Sequence, residues 1–558
     1  MTSAGAGAET ATEQDLRRLV AELLVVRCSG HLSDDQRRYP RWELDNATLR
    51  RLLAEGVGGV ILLGGSAAEL GLRCRQLQAW SSQPLLLCAD VEEGVGQRFE
   101  GASWLAPPLS LGRLYQQEPG RAVELAERYG HCTGAEAREL GLNWVLAPVC
   151  DVNNNPANPV INLRAWGEDP ATAAALATAF LRGAQAEGVL CCAKHFPGHG
   201  DTAVDSHLEL PRLDHSRARL EQVELPPFRA AIAAGVASVM TAHLLLSELD
   251  REQPATLSPA VLDGLLRQEL GFAGLIVTDA LVMEAIAART GGAEAAVLAL
   301  VAGADLVLMP ENADDAIEAI LEAVRQGRLS AERLAASQQR RRRALASVAE
   351  PAAEQTSAAD AALPLHRLSE GPLAEHRALA RELVQGGLQH RGGRLTVRPQ
   401  DRPSTEGCNL IRIDNALQCP ALPLGAPALS LPAAAGFQTR LLEPRSPSPW
   451  SQDPRHPLNL ESLGSGAVLL QLFLRGNPFS GGAGGQEPWE QAIRQLQEIG
   501  RLAALVVYGS PYRWDSLAAE LDPQIPAAYC PAQTPLAQRY ALEAIGLGEG
   551  RQAGSFTD

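Results

Sequence analysis

The segment Ala193–Pro211, which reads AKHFPGHGDTAVDSHLELP, contains the densest cluster of reactive side chains in the chain. Asp205 and His207 lie two residues apart, so the carboxylate can contact one nitrogen of the imidazole ring and leave the other nitrogen free for proton transfer. We therefore expect this pair to act as a general acid and base. Six side chains of the segment could take part in chemistry: Lys194, His195, His199, Asp201, Asp205 and His207.

Pro197, Gly198 and Gly200 interrupt the same segment, which predicts a shaped loop after a strand instead of a regular helix. A metal centre is an alternative interpretation, since three histidines and two aspartates could bind zinc. Two observations argue against it: the sequence has no HExxH pair, and the cationic Lys194 beside His195 would repel a divalent ion. The segment thus predicts acid–base chemistry, with no metal and no organic cofactor.

A second reactive carboxylate, Asp279, ends the apolar run in GLIVTDALVMEAI. No cation lies near it in the sequence, which suits a nucleophile exposed at the edge of a sheet. Asp279 could instead cap the helix that follows, because Asp is a good N-cap residue. An acid–base pair on another strand would need a nucleophile on the opposite face of a substrate, and this favours the first interpretation.

The elements that must position these groups are strands alternating with helices. Eight short apolar runs occur in the first 310 residues, each followed by a segment of helical periodicity, which is typical of parallel strands buried on both faces. The pattern predicts an α/β fold with an N-terminal (β/α)8 TIM-like barrel; a doubly wound open sheet is the alternative. The predicted strands are Leu23–Cys28, Gly59–Leu63, Leu85–Asp90, Asn143–Val149, Val189–His195, Ala237–His243, Leu275–Asp279 and Asp305–Met309.

Enzymes with this barrel carry their chemistry at the carboxyl ends of the strands. Five of the eight predicted strands end in side chains that can bind or react, so we expect these side chains to cluster at one rim of the barrel. They are Asp90, Asp151, Lys194 with His195, His243 and Asp279.

Beyond the barrel, which we assign to residues 1–348, composition changes. Residues 349–373 are rich in Ala, Pro, Ser and acidic residues and are interpreted as a linker. Residues 374–558 again alternate between helical and strand patterns, which predicts a smaller C-terminal α/β sheet domain, although the Pro-rich stretch 413–460 gives no assignment.

Composition excludes several classes of protein. Apolar residues make up 46% of the chain, and no apolar run reaches the ~18 residues of a membrane span, so no membrane association is expected. A net charge of −16 argues against nucleic acid as a partner. The N-terminus lacks the basic and apolar regions of a secretory signal, which predicts a cytoplasmic protein. The ten cysteines show no CxxC spacing and are interpreted as buried free thiols.

The chain contains 49 basic residues, of which a single one, Lys194, is lysine; the other 48 are arginine. A composition that uses arginine wherever charge alone is needed has kept one lysine, in the reactive loop. An ammonium group is compact and its donors rotate freely, unlike the planar fork of a guanidinium group. We therefore expect Lys194 to contact the substrate.

These motifs resemble glycoside hydrolase family 3, and within it the β-N-acetylglucosaminidases of the peptidoglycan-recycling type. The resemblance implies a retaining mechanism in which Asp279 is the nucleophile, His207 is the acid and base, and Asp205 orients His207. It also implies a C-terminal α/β sandwich-like domain. The residues implied to bind the sugar are Asp90, Arg98, Arg164, Lys194, His195 and His199. The matching pieces are AKHFPGHGDTAVDSHLELP, VLAPVCDVNNNPANPVINLRAWGEDP, VMTAHLLL, PATLSPAVL, GLIVTDALVM and AGADLVLMP.

The resemblance implies an exo-acting β-N-acetylhexosaminidase that releases terminal N-acetylglucosamine from cell-wall fragments or related glycosides. A phosphorylase and a β-glucosidase of the same family are alternatives, and an inactive sugar-binding barrel is the alternative without catalysis. The sequence departs from the family pattern after Asp90, where Glu93 replaces a usual Gly and Val95 replaces a usual Arg. This departure bears on sugar preference at that edge of the site.

Overall fold

Eight parallel strands form a nearly closed barrel in the first part of the chain. Each strand pairs with the next along the chain, β1 pairs with β8, and an isolated parallel bridge between Val277 and Leu306 joins the remaining two ends. The predicted (β/α)8 barrel is therefore confirmed, and the open-sheet alternative is wrong. The strands are β1 Leu24–Cys28, β2 Gly59–Leu62, β3 Leu86–Ala89, β4 Trp144–Val145, β5 Leu190–Phe196, β6 Ser238–Thr241, β7 Leu275–Val277 and β8 Val307–Leu308.

Helices follow the strands, as the alternating pattern predicts. They are α1 Gly5–Ala21, α2 Asn46–Glu55, α3 Ala67–Trp80, α4 Leu109–Tyr115, α5 Pro119–Glu139, α6 Pro170–Ala186, α7 Arg217–Arg219, α8 Leu225–Ala233, α9 Glu284–Thr290, α10 Gly292–Ala302, α11 Ala313–Arg325 and α12 Ala331–Ser347. Two π-helices, Leu220–Glu224 and Ala260–Glu269, occur in the same part of the chain.

The strands are short and apolar because both faces of the sheet are covered. Every residue of β1, β2 and β3 is buried, with side chains alternating between the barrel interior and the surrounding helices. Inside the sheet, the indole of Trp144 on β4 donates a hydrogen bond of 2.9 Å to Ser238 Oγ on β6. The buried polar hydrogen of this large side chain is thereby satisfied.

Two glycines allow α5 and α6 to pack with their backbones in close approach. A Cβ atom on Gly130 would lie 2.0 Å from the carbonyl oxygen of Phe180, and one on Gly183 would lie 2.0 Å from that of Glu127. No other residue fits at either position without moving a helix. The ring of Tyr129 packs edge-on against Phe180 beside this contact. Helix α5 is thus held firmly against its neighbour.

The C-terminal unit contains one six-stranded sheet in the order β9-β14-β13-β12-β10-β11, in which only β9 is antiparallel to its neighbour among the pairs described. The predicted smaller α/β sheet domain is confirmed. Its strands are β9 Gln389–Arg391, β10 Gly407–Arg412, β11 Phe437–Leu442, β12 Val468–Leu474, β13 Leu502–Gly509 and β14 Ala527–Cys530. The later helices are α13 Pro372–Gly387, α14 Pro427–Ala434, α15 Trp489–Glu498, α16 Pro511–Ala519 and α17 Pro535–Ala544.

This computed structural model describes residues 5–202, 210–348, 372–395, 407–414, 419–444, 446–451, 453, 456–475 and 487–548. The chain divides into two units, Met1–Leu379 and Ala380–Asp558. Most of the predicted linker, 349–373, lies outside the described residues, so its bounds stay a prediction. In the described part of the chain, no helix is long and apolar enough to cross a lipid bilayer.

Candidate active site

Lys194 lies between two carboxylates at the carboxyl end of the barrel strands. Its Nζ atom is 2.7 Å from Asp90 Oδ1 and 2.6 Å from Glu92 Oε1. Lys194 belongs to β5, and the two acidic residues directly follow β3, so the barrel brings them together. The Lys194 side chain is only 1% exposed, whereas that of Asp90 is 29% exposed. Asp90 can therefore contact the buried ammonium group and remain accessible from solvent.

Arg164 completes this buried cluster through a bidentate ion pair. Its Nε and Nη2 atoms each lie 2.8 Å from an oxygen of Glu92. Burial alone would raise the pKa of the Glu92 carboxyl, but Arg164 and Lys194 together hold that pKa well below its ordinary value. Burial would lower the pKa of Lys194, but Asp90 and Glu92 outweigh it and raise that pKa. The cluster thus holds two cations and two carboxylates.

Asp151 organises the loop that follows β5. Its Oδ2 atom lies 2.8 Å from His195 Nδ1, and its Oδ1 atom accepts a hydrogen bond of 2.7 Å from the backbone N–H of His199. The other ring nitrogen of His195 is 3.4 Å from Arg164 Nη2. An arginine can only donate, so His195 accepts there and donates through Nδ1 to Asp151. Asp151 therefore fixes both the orientation and the tautomer of His195.

His199 is a neutral, buried side chain. Burial is the largest effect and, despite the opposing carboxylate of Asp151, lowers the pKa of His199 to about 4. Its Nδ1 atom is 2.9 Å from Thr202 Oγ1. Asn158 holds the same turn, because its Nδ2 atom donates to the carbonyl oxygens of His199 and Gly200, each at 2.9 Å. His199 shapes the loop in the neutral form.

Gly200 is required by a close approach in this loop. A Cβ atom there would lie 1.7 Å from the carbonyl oxygen of Val152, which no side-chain movement could relieve. Gly198 adopts a φ of +133°, a value that favours glycine. The glycines that predicted a shaped loop therefore have specific steric causes.

Asp279 lies two residues after the end of β7, where its side chain is half-buried. Its Oδ1 atom accepts a hydrogen bond of 2.8 Å from the N–H of Ala280, and its own N–H donates to Thr241 Oγ1 at 3.4 Å. Helix α9 begins only at Glu284, so the alternative that Asp279 caps the following helix is wrong. The carboxylate also opposes the lowering of the pKa of His199, although burial is the larger effect there.

His243 supports the backbone beside Asp279. Its Nε2 atom donates to the carbonyl oxygen of Ala280 at 3.1 Å, and its Nδ1 atom lies 2.8 Å from Thr256 Oγ1. Thr256 in turn lies 2.8 Å from the hydroxyl of Thr241, which receives the N–H of Asp279. This network ties the end of β6 to the end of β7.

The predicted site residues are distributed as follows. Lys194 contacts Asp90 directly and is connected to Arg164 through Glu92. Arg164 reaches His195, and Asp151 connects His195 to His199. Arg98 is exposed and donates from Nε to the backbone oxygen of Asp90 at 3.0 Å, so it reaches the edge of the cluster. The predicted acid–base residues, Asp205 and His207, lie outside the described residues.

Glu92 is a central member of the cluster that the sequence analysis missed. Glu92 lies two residues after Asp90, close to the end of a predicted strand and near Arg98. This position is the sequence signal that could have identified it as a site residue. The departures from the family pattern in the same stretch are both buried: Glu93 accepts a hydrogen bond of 3.0 Å from the indole of Trp104, and Val95 is fully enclosed. Neither side chain faces solvent at this edge.

Comparison with known proteins shows which family the chain resembles. Residues 16–344 match the Glycosyl hydrolase family 3 N terminal domain, and residues 400–546 match the Bacterial Glycosyl hydrolase family 3 C-terminal domain. A β-hexosaminidase of Thiobacillus denitrificans is 38% identical over 282 residues, which are 49% of this chain and 78% of that protein. A β-N-acetylglucosaminidase/β-glucosidase of Cellulomonas fimi is 32% identical over 351 residues, 60% of this chain and 58% of that protein.

Among solved structures, a glycoside hydrolase family 3 β-N-acetylglucosaminidase from Paenibacillus sp. str. FPU-7 superposes with a TM-score of 0.72. The two proteins are 29% identical, and the match covers 95% of this chain and 96% of the other. The N-terminal family match alone spans more than half of the chain. The chain therefore belongs to glycosyl hydrolase family 3 and is a glycoside hydrolase.

Proposed function

We propose that this glycoside hydrolase is a retaining, exo-acting β-N-acetylhexosaminidase that removes terminal β-linked N-acetylglucosamine. The observation that best supports the proposal is the half-buried carboxylate of Asp279 just after β7, at the same end of the barrel strands as the cluster around Lys194. A barrel of this kind carries catalysis at this end of its strands. The names of the relatives, β-hexosaminidase and β-N-acetylglucosaminidase, support the choice of sugar.

In the proposed first step, a carboxylate oxygen of Asp279 attacks the anomeric carbon of the sugar. The bond from that carbon to the leaving oxygen breaks, and an ester between the sugar and Asp279 forms. His207 gives its proton to the leaving oxygen, and Asp205 orients the imidazole ring. The hydrogen bond from the N–H of Ala280 holds Asp279 Oδ1, so the carboxylate keeps one orientation during attack.

In the second step, His207 takes a proton from water, and the resulting hydroxide attacks the anomeric carbon and releases Asp279. Two inversions give net retention of the β configuration. An imidazole thus takes the role that a second carboxylate usually has in glycosidases. Because an imidazole carries no negative charge in either protonation state, it does not repel the Asp279 carboxylate as a second carboxylate would.

We assign sugar binding to Asp90, Arg98, Arg164, Lys194 and His195, with His199 shaping the loop beneath them. Asp90 is suited to accept hydrogen bonds from two sugar hydroxyls because its carboxylate is partly exposed. The ion pair with Lys194 holds this carboxylate in place. The paired charges keep the floor of the site electrically balanced, which suits an uncharged sugar ring.

We further propose that the substrates are cell-wall fragments or related glycosides and that the protein acts in the cytoplasm. All ten cysteines are free thiols, and nine of them are buried, which is typical of a reducing compartment. We assign the barrel domain to 1–348, a linker to 349–373 and the second domain to 374–558. The proposed catalytic residues all lie in the first of these segments.

A β-glucosidase is the second candidate, since the Cellulomonas fimi relative is named for both activities. The experiment that separates the candidates is a panel of nitrophenyl β-glycosides assayed with and without inorganic phosphate. We expect the N-acetylglucosaminide to have the highest kcat/KM and to yield free sugar whether or not phosphate is present. A preference for the glucoside, or release of sugar 1-phosphate, would contradict the proposal and favour a β-glucosidase or a phosphorylase.

A further inference from the structure

A second cluster of reactive side chains lies on helix α5, away from the residues assigned to catalysis. Cys132 and Glu136 are one turn apart on α5 and therefore share a face of this helix. His376, near the start of α13, packs against them, and its Nδ1 atom is 2.8 Å from Glu136 Oε1. All three lie within Met1–Leu379, the first compact unit of the structure, although His376 lies just after residue 374, where the sequence places the start of the second domain.

The three side chains offer a thiol sulfur, a carboxylate oxygen and an imidazole nitrogen within 4.8 Å of one another. Among the residues that the structure describes, this is the one group of three such ligands at that spacing. Exposed acidic groups often meet without binding a metal, but Cys132, Glu136 and His376 are respectively 2%, 0% and 8% exposed. These three polar side chains are therefore shielded from water and contact one another instead.

We propose that Cys132, Glu136 and His376 bind one zinc ion. A thiolate and a carboxylate carry two negative charges, which neutralise a divalent cation in a buried site without any further counter-ion. Sulfur and imidazole ligands select zinc over magnesium or calcium, which take oxygen ligands. Zinc binding displaces one proton from the thiol of Cys132 to solvent.

The surroundings of Glu136 supply the outer hydrogen bonds that a metal ligand needs. The N–H of Ser103 donates to Glu136 Oε2 at 2.9 Å, and its hydroxyl donates to Oε1 at 2.5 Å. Such contacts orient a carboxylate before the ion arrives. The position of α5 is itself fixed by its close packing against α6, so two of the three ligands stand on a rigid element.

An entry path and a place for a fourth ligand lie beside the cluster. A cavity of about 700 Å³ is lined by Cys132 and His376 together with His131, Glu187 and Glu375. A water molecule from this cavity can complete a tetrahedral site. The zinc ion joins α5 to α13 and so anchors the first turns of α13 on the barrel unit.

The test uses the full-length chain, dialysed against a chelator, reloaded with zinc and then passed through a desalting column. We expect about one zinc ion per chain by elemental analysis, and a melting temperature several degrees higher than that of the chelated protein. The Cys132→Ser and His376→Gln variants should each retain less than about a tenth of that zinc. Cys419→Ser and His390→Gln are matched controls at other positions and should retain as much as the unmodified chain.

Cobalt provides a readout that does not depend on how well the variants fold. The unmodified chain loaded with cobalt should show a near-ultraviolet charge-transfer band from a thiolate bound to the metal, and Cys419→Ser should keep it. Absence of this band, or equal zinc retention in the ligand variants and their controls, would overturn the proposal. The proposal would also be overturned if the unmodified chain retained no zinc and the His376→Gln exchange lowered the melting temperature equally with and without added zinc. The cluster would then only hold α5 and α13 together through hydrogen bonds.

Discussion

Lys194 Nζ and Glu92 Oε1 are 2.6 Å apart, and both side chains are almost fully buried. The sole lysine of the chain is therefore enclosed by carboxylates, of which Asp90 is partly exposed. The sequence predicts a direct contact of Lys194 with substrate, and this stays a prediction. The contacts add a second reason for lysine at this position: a compact ammonium group fits where two carboxylate oxygens converge.

Lys194→Arg should lower both stability and activity, although it keeps the charge. A guanidinium group is larger than the fully buried ammonium group it would replace, so we expect the free energy of unfolding to fall by about 1–3 kcal/mol through overpacking. Because Asp90 would be displaced, kcat/KM should fall as well. Denaturant unfolding and nitrophenyl glycoside kinetics measure the two effects. Arg182→Lys, an exposed exchange in the opposite direction, is the control, and a Lys194→Arg enzyme that matches it in both assays would contradict this account.

Glu92→Gln should destabilise the protein strongly, because the amide keeps the shape of the side chain but removes its charge. Arg164 would then lose its charged partner, and Lys194 would keep only its ion pair with the partly exposed Asp90. Breaking a buried ion pair in this way costs about 3–5 kcal/mol, which denaturant unfolding can resolve. Glu127→Gln breaks an exposed pair with Arg182 and should cost less than about 1 kcal/mol. Equal losses in the two variants would show that the cluster is not electrostatically important.

Acidification should destabilise the fold through His199. Its pKa is about 4 in the folded protein because of burial, against an ordinary value of 6.5. Between these values the unfolded chain binds a proton that the folded chain does not, so stability falls as the pH drops from about 6.5 to 4, by about 3 kcal/mol in total. The neighbouring carboxylates of Asp151 and Asp279 oppose the shift, and the ring of His195 adds to it.

The His199→Gln variant lacks this titration, so its free energy of unfolding should change less over the same pH interval than that of the unmodified protein. Asp151 acts in a different range: although burial opposes it, His195 lowers the pKa of Asp151 below 3.8, so its contribution is lost only at more acidic pH. The exposed His390→Gln exchange should leave the slope unchanged. Identical slopes in all three proteins would show that His199 is not the group responsible.

His207→Ala should damage turnover most when the leaving group is poor. A general acid contributes about 10²–10⁴-fold to a step in which the leaving oxygen needs a proton. Nitrophenolate leaves without that help, so its release should fall far less than hydrolysis of an alkyl glycoside or a disaccharide. Comparing kcat/KM for the two substrate types measures the difference. Equal losses on both would argue that His207 does not act as the acid.

The barrel fold can be predicted from the sequence because its strands are covered on both faces. Buried parallel strands produce continuous apolar runs, and each of the eight runs in the first 310 residues overlaps a strand of the barrel. The stretch 413–460 lacks such runs: β11 has buried ends and an exposed middle, and α14 contains Pro432 inside the helix. The hydropathy pattern of a strand or helix is ambiguous where only one of its faces packs against the rest of the protein.

The site is harder to predict from the sequence, because its contacts join distant parts of the chain. Strand ends identify Asp90, Lys194 and Asp279 as members of one rim. The importance of Glu92 depends on Arg164, which lies 72 residues further along and reaches it only when the barrel forms. The cap function suggested for Asp279 fails for a similar reason, since the start of α9 depends on how the preceding turn packs.

The most direct test of the proposed mechanism is to identify the residue that carries the covalent sugar. A ring-fluorinated N-acetylglucosaminyl fluoride forms the intermediate faster than water releases it, and digestion followed by mass spectrometry locates the adduct. We expect one sugar on Asp279, and the Asp279→Ala variant should form no adduct and lose about 10⁴-fold or more in turnover, unlike the exposed control Asp263→Ala. An adduct on another residue, or hydrolysis that inverts the anomeric configuration without any adduct, would contradict the mechanism.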